Sequence, residues 1–136
     1  MKRLLCLILA LMLVMLSVTP ALAMESESAI MPRYSYIAQM YSGLQIGKLG
    51  LSACHASCYA EGADSVVLTV RLQQYNGSSW TTVKTWTATG TDIASISKNY
   101  AVPSGYTYCL RANCTVYNAS GTLLETGTCY SNQVTY

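Results

Sequence analysis

The chain has 136 residues, with 8 Lys+Arg against 6 Asp+Glu and no phenylalanine. That length fits one domain around one core. Charge is sparse and no basic run stands out, so the electrostatic attraction that dominates nucleic-acid affinity is missing and nucleic acid is excluded as a partner.

The first 23 residues, MKRLLCLILALMLVMLSVTPALA, have the three parts of a secretory signal peptide. Lys2 and Arg3 form a basic start, Leu4 to Val18 an apolar run, and Ala21-Leu22-Ala23 a small-residue cleavage site. The run is nearly long enough to span a membrane, but no basic stop-transfer segment follows it. An exported protein beginning at Met24 is expected, with no membrane attachment after cleavage. Residues 24–33 read as a flexible leader and 34–136 as the folded domain. Without Lys2 and Arg3, basic and acidic residues balance.

From Arg33 onward the residues are those of strands. YSYIAQMY (Tyr34–Tyr41) predicts a first strand, ended by Ser42-Gly43, and Lys48–Ala60 a second, ended by Glu61-Gly62. Val66, Leu68, Val70 and Leu72 alternate with Thr69 and Arg71, the period of a half-buried strand. Asn76-Gly77-Ser78-Ser79 then turns the chain into WTTVKTWT (Trp80–Thr87), a hairpin. Ile93–Val102 follows the Thr89-Gly90-Thr91-Asp92 turn, and Tyr106–Tyr117 and Leu123–Val134 form a last hairpin around Asn118-Ala119-Ser120-Gly121. Seven strands at short intervals and no helical stripe predict an all-β fold, a seven-stranded immunoglobulin-like or fibronectin-III-like β-sandwich. A small β-barrel is the alternative, since spacing does not separate closure from stacking.

The stretches YNGSSWTTVKTW, SKNYAVPSGYTY and TVYNASGTLLETGTCYSNQVTY resemble small exported proteins of Gram-positive bacteria that carry a signal peptide and one β-sandwich. The resemblance covers most of residues 34–136. It implies the sandwich and secretion, and it carries over no catalytic residue.

With Cys6 removed, Cys54, Cys58, Cys109, Cys114 and Cys129 remain, an odd number in an oxidising compartment. Cys54 and Cys58, four apart on one strand, face the same way. On the sixth strand, Cys114 belongs to the apolar set and Cys109 to the opposite face. In an immunoglobulin-like sandwich the second and sixth strands face each other, which makes Cys58–Cys114 the preferred bridge. If Tyr117 pairs with Thr122, Cys129 comes level with Cys54, giving Cys54–Cys129 and leaving Cys109 free on the surface. A one-residue change of register would instead set Cys109 opposite Cys129.

ACHASC (residues 53–58) has neither the Cys-x-x-Cys-His of haem attachment nor the Cys-x-x-Cys of a redox pair. On a strand, His55 points away from Cys54 and Cys58, so the three cannot share a metal. His55 is the lone histidine, Gly-x-Ser-x-Gly is absent, and Glu61, Asp64, Asp92 and Glu125 sit in or beside turns. No enzyme, no metal and no cofactor are expected. Trp80 and Trp86, six apart, are candidates for one shared partner-binding face, with at least one of them in core packing. Asn76, Asn113 and Asn118 begin glycosylation sequons that matter only in a eukaryotic secretory path. The sequence thus reads as a secreted, extracellular, non-catalytic module binding a protein or glycan. The alternative is a structural or self-associating module, a disulfide-linked homodimer through Cys109; an enzyme comes third.

Overall fold

Val66, Leu68, Val70 and Leu72 are fully buried while Val67, Thr69 and Arg71 between them are not, so the alternation in sequence becomes a strand with one face in the core. The computed structural model describes residues 35–136. The expected signal peptide (1–23), leader (24–33) and Tyr34 lie outside the described residues. This strand is β3 (Ser65–Tyr75). The others are β1 (Ile37–Ile46), β2 (Leu51–Ala60), β4 (Trp80–Gly90), β5 (Ile93–Ala101), β6 (Thr107–Tyr117), β7 (Leu123–Tyr130) and the two-residue β8 (Val134–Thr135).

β1, β2 and β5 form a three-stranded sheet in the order β1-β2-β5. The second sheet runs β4-β3-β6-β7, with β8 also paired to β6. Every pairing is antiparallel, and the two sheets pack face to face as a sandwich. No ladder joins one sheet to the other among the described residues, which sets the arrangement apart from a closed barrel.

Several boundaries differ from the sequence expectation: β1 begins at Ile37 rather than Tyr34, β2 at Leu51 rather than Lys48, and β4 runs to Gly90 rather than Thr87. β1 does not stop at Ser42-Gly43 but continues to Ile46, because the Tyr41 phenol lies along the strand over Gly43 and covers the face a side chain would have filled. The expected last strand is broken at 131–133, so a separate β8 resumes beside the start of β6.

Across the core, β2 presents only small residues: Ser52, Cys54, Ala56, Cys58 and Ala60 are all buried. Opposite them stand the large apolar side chains of β3 and β6. Ser52, the one buried polar residue of this row, is satisfied by donating from Oγ to the Tyr100 carbonyl at 2.6 Å. Tyr108, fully buried at the start of β6, donates its hydroxyl to the Pro103 carbonyl at 2.7 Å and ties the β5–β6 connection to the core.

Cys58 and Cys114 are joined by a disulfide from β2 to β6, with a Cα–Cα distance of 6.4 Å. A second bridge between Cys54 and Cys129 is not formed, and both thiols are free. The expected Tyr117–Thr122 pairing gives way to Tyr117 opposite Leu123, with a bulge beside it, so Cys129 pairs with Ala112 rather than Leu110. Cys129 does share Ala112's inward face, but β7 packs against β1 while β2 packs against β3 and β6. Cys54 and Cys129 therefore look into different parts of the core.

The side of the sandwich where β4 and β5 meet carries two lysines on the inward faces of its edge strands. Lys84 pairs with the buried Leu72 and Lys98 with the buried Cys54. Lys84 Nζ lies 5.8 Å from the Tyr100 ring centre, and Trp86 meets Tyr100 edge-on at 6.2 Å. Inward-pointing charge on an edge strand discourages another strand from adding to it.

Candidate binding site

The outward residues of β3 and β6 form the outer face of the larger sheet. The ladder sets Arg71 directly opposite Arg111, and Gln73 opposite Cys109. At the Cys109 end, β7 stops at Tyr130 and β8 begins at Val134, so residues 131–133 stand beside β6 instead of continuing its ladder. Ser131 replaces the missing rungs. Its N–H donates to the Leu110 carbonyl at 3.0 Å, and its Oγ accepts from the Leu110 N–H at 2.8 Å. The interruption leaves a concavity of about 440 Å³, lined by Gln73, Trp80, Cys109, Arg111, Tyr130, Ser131 and Gln133.

Trp80 reaches this concavity because of a bulge. β3 and β4 pair regularly from Val66–Gly90 to Leu72–Lys84, then skip one residue so that Gln73 faces Thr82 and Tyr75 faces Trp80. The extra residue, Val83, inverts the parity of the strand. Trp86, opposite the buried Val70, faces inward and packs against the core; Trp80 faces outward and packs on Tyr75 at 5.1 Å between ring centres. The expectation of one face shared by the two tryptophans is corrected accordingly. Tyr130, largely exposed, stands opposite Arg111 on β7.

The electrostatics of this face are one-sided. Arg71 donates from Nη1 to Asn113 Oδ1 at 3.0 Å, and Asn113 Nδ2 donates onward to Thr128 Oγ1 at 2.6 Å, so a neutral amide meets its charge. Arg111 is half-buried, and its Nε is buried with no hydrogen-bond partner among the described residues. Of the described acidic side chains, Glu61, Asp64 and Asp92 lie in the turns where β3 begins and β4 ends, and Glu125 lies near the start of β7 opposite Val116. All four cluster at the end of the sandwich away from Trp80.

Cys109 is free but not on the surface: it points to the outer face and yet is only 5% exposed. Burial raises its thiol pKa, and the same cause raises that of Cys129. At Cys54, burial raises the pKa against a smaller opposing contribution from the Ser52 hydroxyl. All three thiols are thereby held in the protonated, weakly nucleophilic form. An intermolecular disulfide through Cys109 would require the concavity to open. His55 is exposed on the outer face of the smaller sheet, on the other side of the molecule from the concavity.

The lining thus combines two aromatic rings with the amides of Gln73 and Gln133, the Ser131 hydroxyl and one guanidinium. Among the described residues it holds no carboxylate and no imidazole. Such a set can stack on a ring and donate hydrogen bonds. Sequence reasoning reached Trp80 and Cys109 but not Arg111, Gln73, Tyr130 or Gln133. The arginines' outward position was readable from the alternation Val66–Leu72 and Leu110–Val116, whereas their pairing depends on register. No protein-family model matches the chain, and no curated protein matches it.

Proposed function

We propose that this protein is a secreted, extracellular, non-catalytic β-sandwich that binds a glycan in the concavity on the outer face of its larger sheet. The observation that carries this reading is the pairing of Trp80 and Tyr130 with Gln73, Gln133 and Arg111 around one small hollow. Saccharide rings present apolar C–H faces with hydroxyls around their rims, which suits aromatic walls with amide and guanidinium donors between them. Secretion is supported by the basic, apolar and small-residue segments of residues 1–23.

An immunoglobulin- or fibronectin-III-like identity is supported by the strand order β1-β2-β5 against β4-β3-β6-β7, and by the Tyr108 hydroxyl bond back to Pro103 at the start of β6. The test is a glycan array probed with residues 24–136, followed by Trp80→Ala and Tyr130→Ala. Binding to a saccharide that falls at least tenfold in both variants is expected. Binding left unchanged in both would place the ligand elsewhere, and the absence of any bound saccharide would end the glycan reading.

A further inference from the structure

We infer that the saccharide is acidic and that its carboxylate or sulfate group sits on Arg111. This inference rests on the glycan reading for the rest of the ligand, but the anion seat stands on separate observations.

Like charges directly opposite on neighbouring strands repel and destabilise the pair. Arg71 and Arg111 are directly opposite, and among the described residues no carboxylate shares their face. Ser65, at the acidic end of β3, is six residues from Arg71, about 20 Å along a strand. That distance exceeds the screening length at physiological salt, roughly 8 Å. No acidic side chain among the described residues therefore compensates the positive charge on this face.

The two arginines are also held differently. Arg71 is fastened to Asn113, which in turn is fastened to Thr128. Arg111 lines the concavity with its buried Nε unpartnered. A charged group whose buried Nε finds no acceptor among the described residues is costly to the fold, and because Arg111 is only half-buried, the part of it that lines the concavity is open to an oxyanion. A planar guanidinium meets carboxylate or sulfate oxygens through two parallel N–H donors. With Trp80 and Tyr130 lining the same hollow, a sugar ring can lie on an aromatic face while its acid group meets Arg111. Arg71 then adds long-range attraction without direct contact.

The experiment is calorimetric titration of residues 24–136 at low ionic strength, in a buffer free of phosphate and sulfate. The probes are oligogalacturonate (carboxylate), dextran sulfate (sulfate), neutral dextran and, in a separate titration, inorganic sulfate. At least one anionic probe is expected to bind at least tenfold more tightly than dextran, and to weaken as sodium chloride is added. The preferred anionic arm identifies the acid group. Arg111→Gln should lose at least tenfold and Arg111→Lys less, since it keeps the charge without the fork. Lys48→Gln, which removes a positive charge from the β1–β2 turn, should bind as the parent does. Circular dichroism melts check that each variant is folded.

Equal binding of neutral and anionic probes, unaffected by Arg111→Gln, would overturn the anion seat while leaving a glycan site. Equal losses in Arg111→Gln and Lys48→Gln would reduce the effect to diffuse charge and overturn it as well. Inorganic sulfate binding that depends on Arg111, with no saccharide bound and Trp80→Ala unchanged, would uphold the anion seat and remove the glycan reading.

Discussion

Arg71 and Arg111 stand directly opposite each other on β3 and β6, and among the described residues neither has an acidic side chain on its face of the sheet. Their repulsion is a standing cost to the unliganded fold, taken as comparable in size to the roughly 0.2–1 kcal/mol of favourable cross-strand pairs. Arg111→Gln removes one charge and the unpartnered Nε together, so the unliganded variant should be more stable than the parent. A gain near 0.5 kcal/mol corresponds to roughly 2–4 °C in Tm for a domain of this size. Thermal melts in 20 mM and 500 mM sodium chloride check it. The gain should shrink at high salt, and a variant that melts lower at low salt would show that Arg111 is structurally needed.

The cysteines give a prediction that mass spectrometry reads directly. Peptide mapping of the non-reduced protein should yield one Cys58–Cys114 crosslink and free thiols at Cys54, Cys109 and Cys129. Because burial raises all three thiol pKa values, alkylation of the native protein should be slow, with the half-buried Cys129 reacting before Cys54. The bridge spans a sequence separation of 56 residues. In the chain-entropy model, whose mechanism is disputed, Cys58→Ala with Cys114→Ala should cost about 4 kcal/mol. Recovery of a Cys54–Cys129 peptide would mean that β7 packs against β2, contrary to the present strand arrangement.

What the sequence made legible follows from what alternation can encode. The runs Val66–Leu72 and Leu110–Val116 alternate cleanly, so their buried faces and the inward position of Cys114 follow from residue order alone. Glycine-bearing turns marked the hairpins, and Gly77 and Gly121 indeed have positive φ, at 94° and 77°. Bulges leave no such mark. Those beside Leu72 and Val116 arise from how neighbouring strands fit, and each changes the pairing of everything beyond it. That is why Trp80 and Trp86 part company and why Cys129 meets Ala112. The candidate site lies where these displacements accumulate, next to the break between β7 and β8, so its lining was only partly visible from residue type.

Glu125 holds the chain at the entrance to β1. Its Oε1 accepts from the Ser35 N–H at 2.7 Å, and its Oε2 from the N–H groups of Tyr36 and Ile37 at 2.8 and 2.7 Å. Burial by itself would raise the carboxyl pKa. The three backbone donors outweigh burial, and the net value lies below the ordinary one. A carboxyl whose pKa is depressed on folding adds stability above its unfolded pKa, about 4.3 for glutamate. That stability is lost as pH falls through the lower folded value. Glu125→Gln should therefore be less stable than the parent at pH 7, and the gap should close on acidification below about pH 4. Urea midpoints across pH 3–7 measure this, and parallel curves for parent and variant would remove Glu125 as the titrating latch.

Asp92 is the one described residue other than glycine with a positive φ, 56°. It joins two turns: its N–H donates to the Ala63 carbonyl at 3.2 Å, and its carbonyl accepts from the Ala60 N–H at 2.7 Å. Its Oδ1 also accepts from the Ala63 N–H at 3.0 Å. Aspartate tolerates the left-handed region better than most residues do, and here its side chain is also anchored to a turn 29 residues away in sequence. The two contributions separate by substitution. Asp92→Asn keeps an acceptor and tolerates the backbone, so it should remain close to the parent. Asp92→Gly keeps the backbone geometry and loses the bond, at about 1 kcal/mol. Asp92→Ala loses the bond and also forces a Cβ into the left-handed region, which together cost about 2–3 kcal/mol. Urea denaturation should rank the variants Asn, Gly, Ala in falling stability. Equal losses for Gly and Ala would show that the backbone angle costs alanine nothing here, and that the side-chain bond alone selects aspartate.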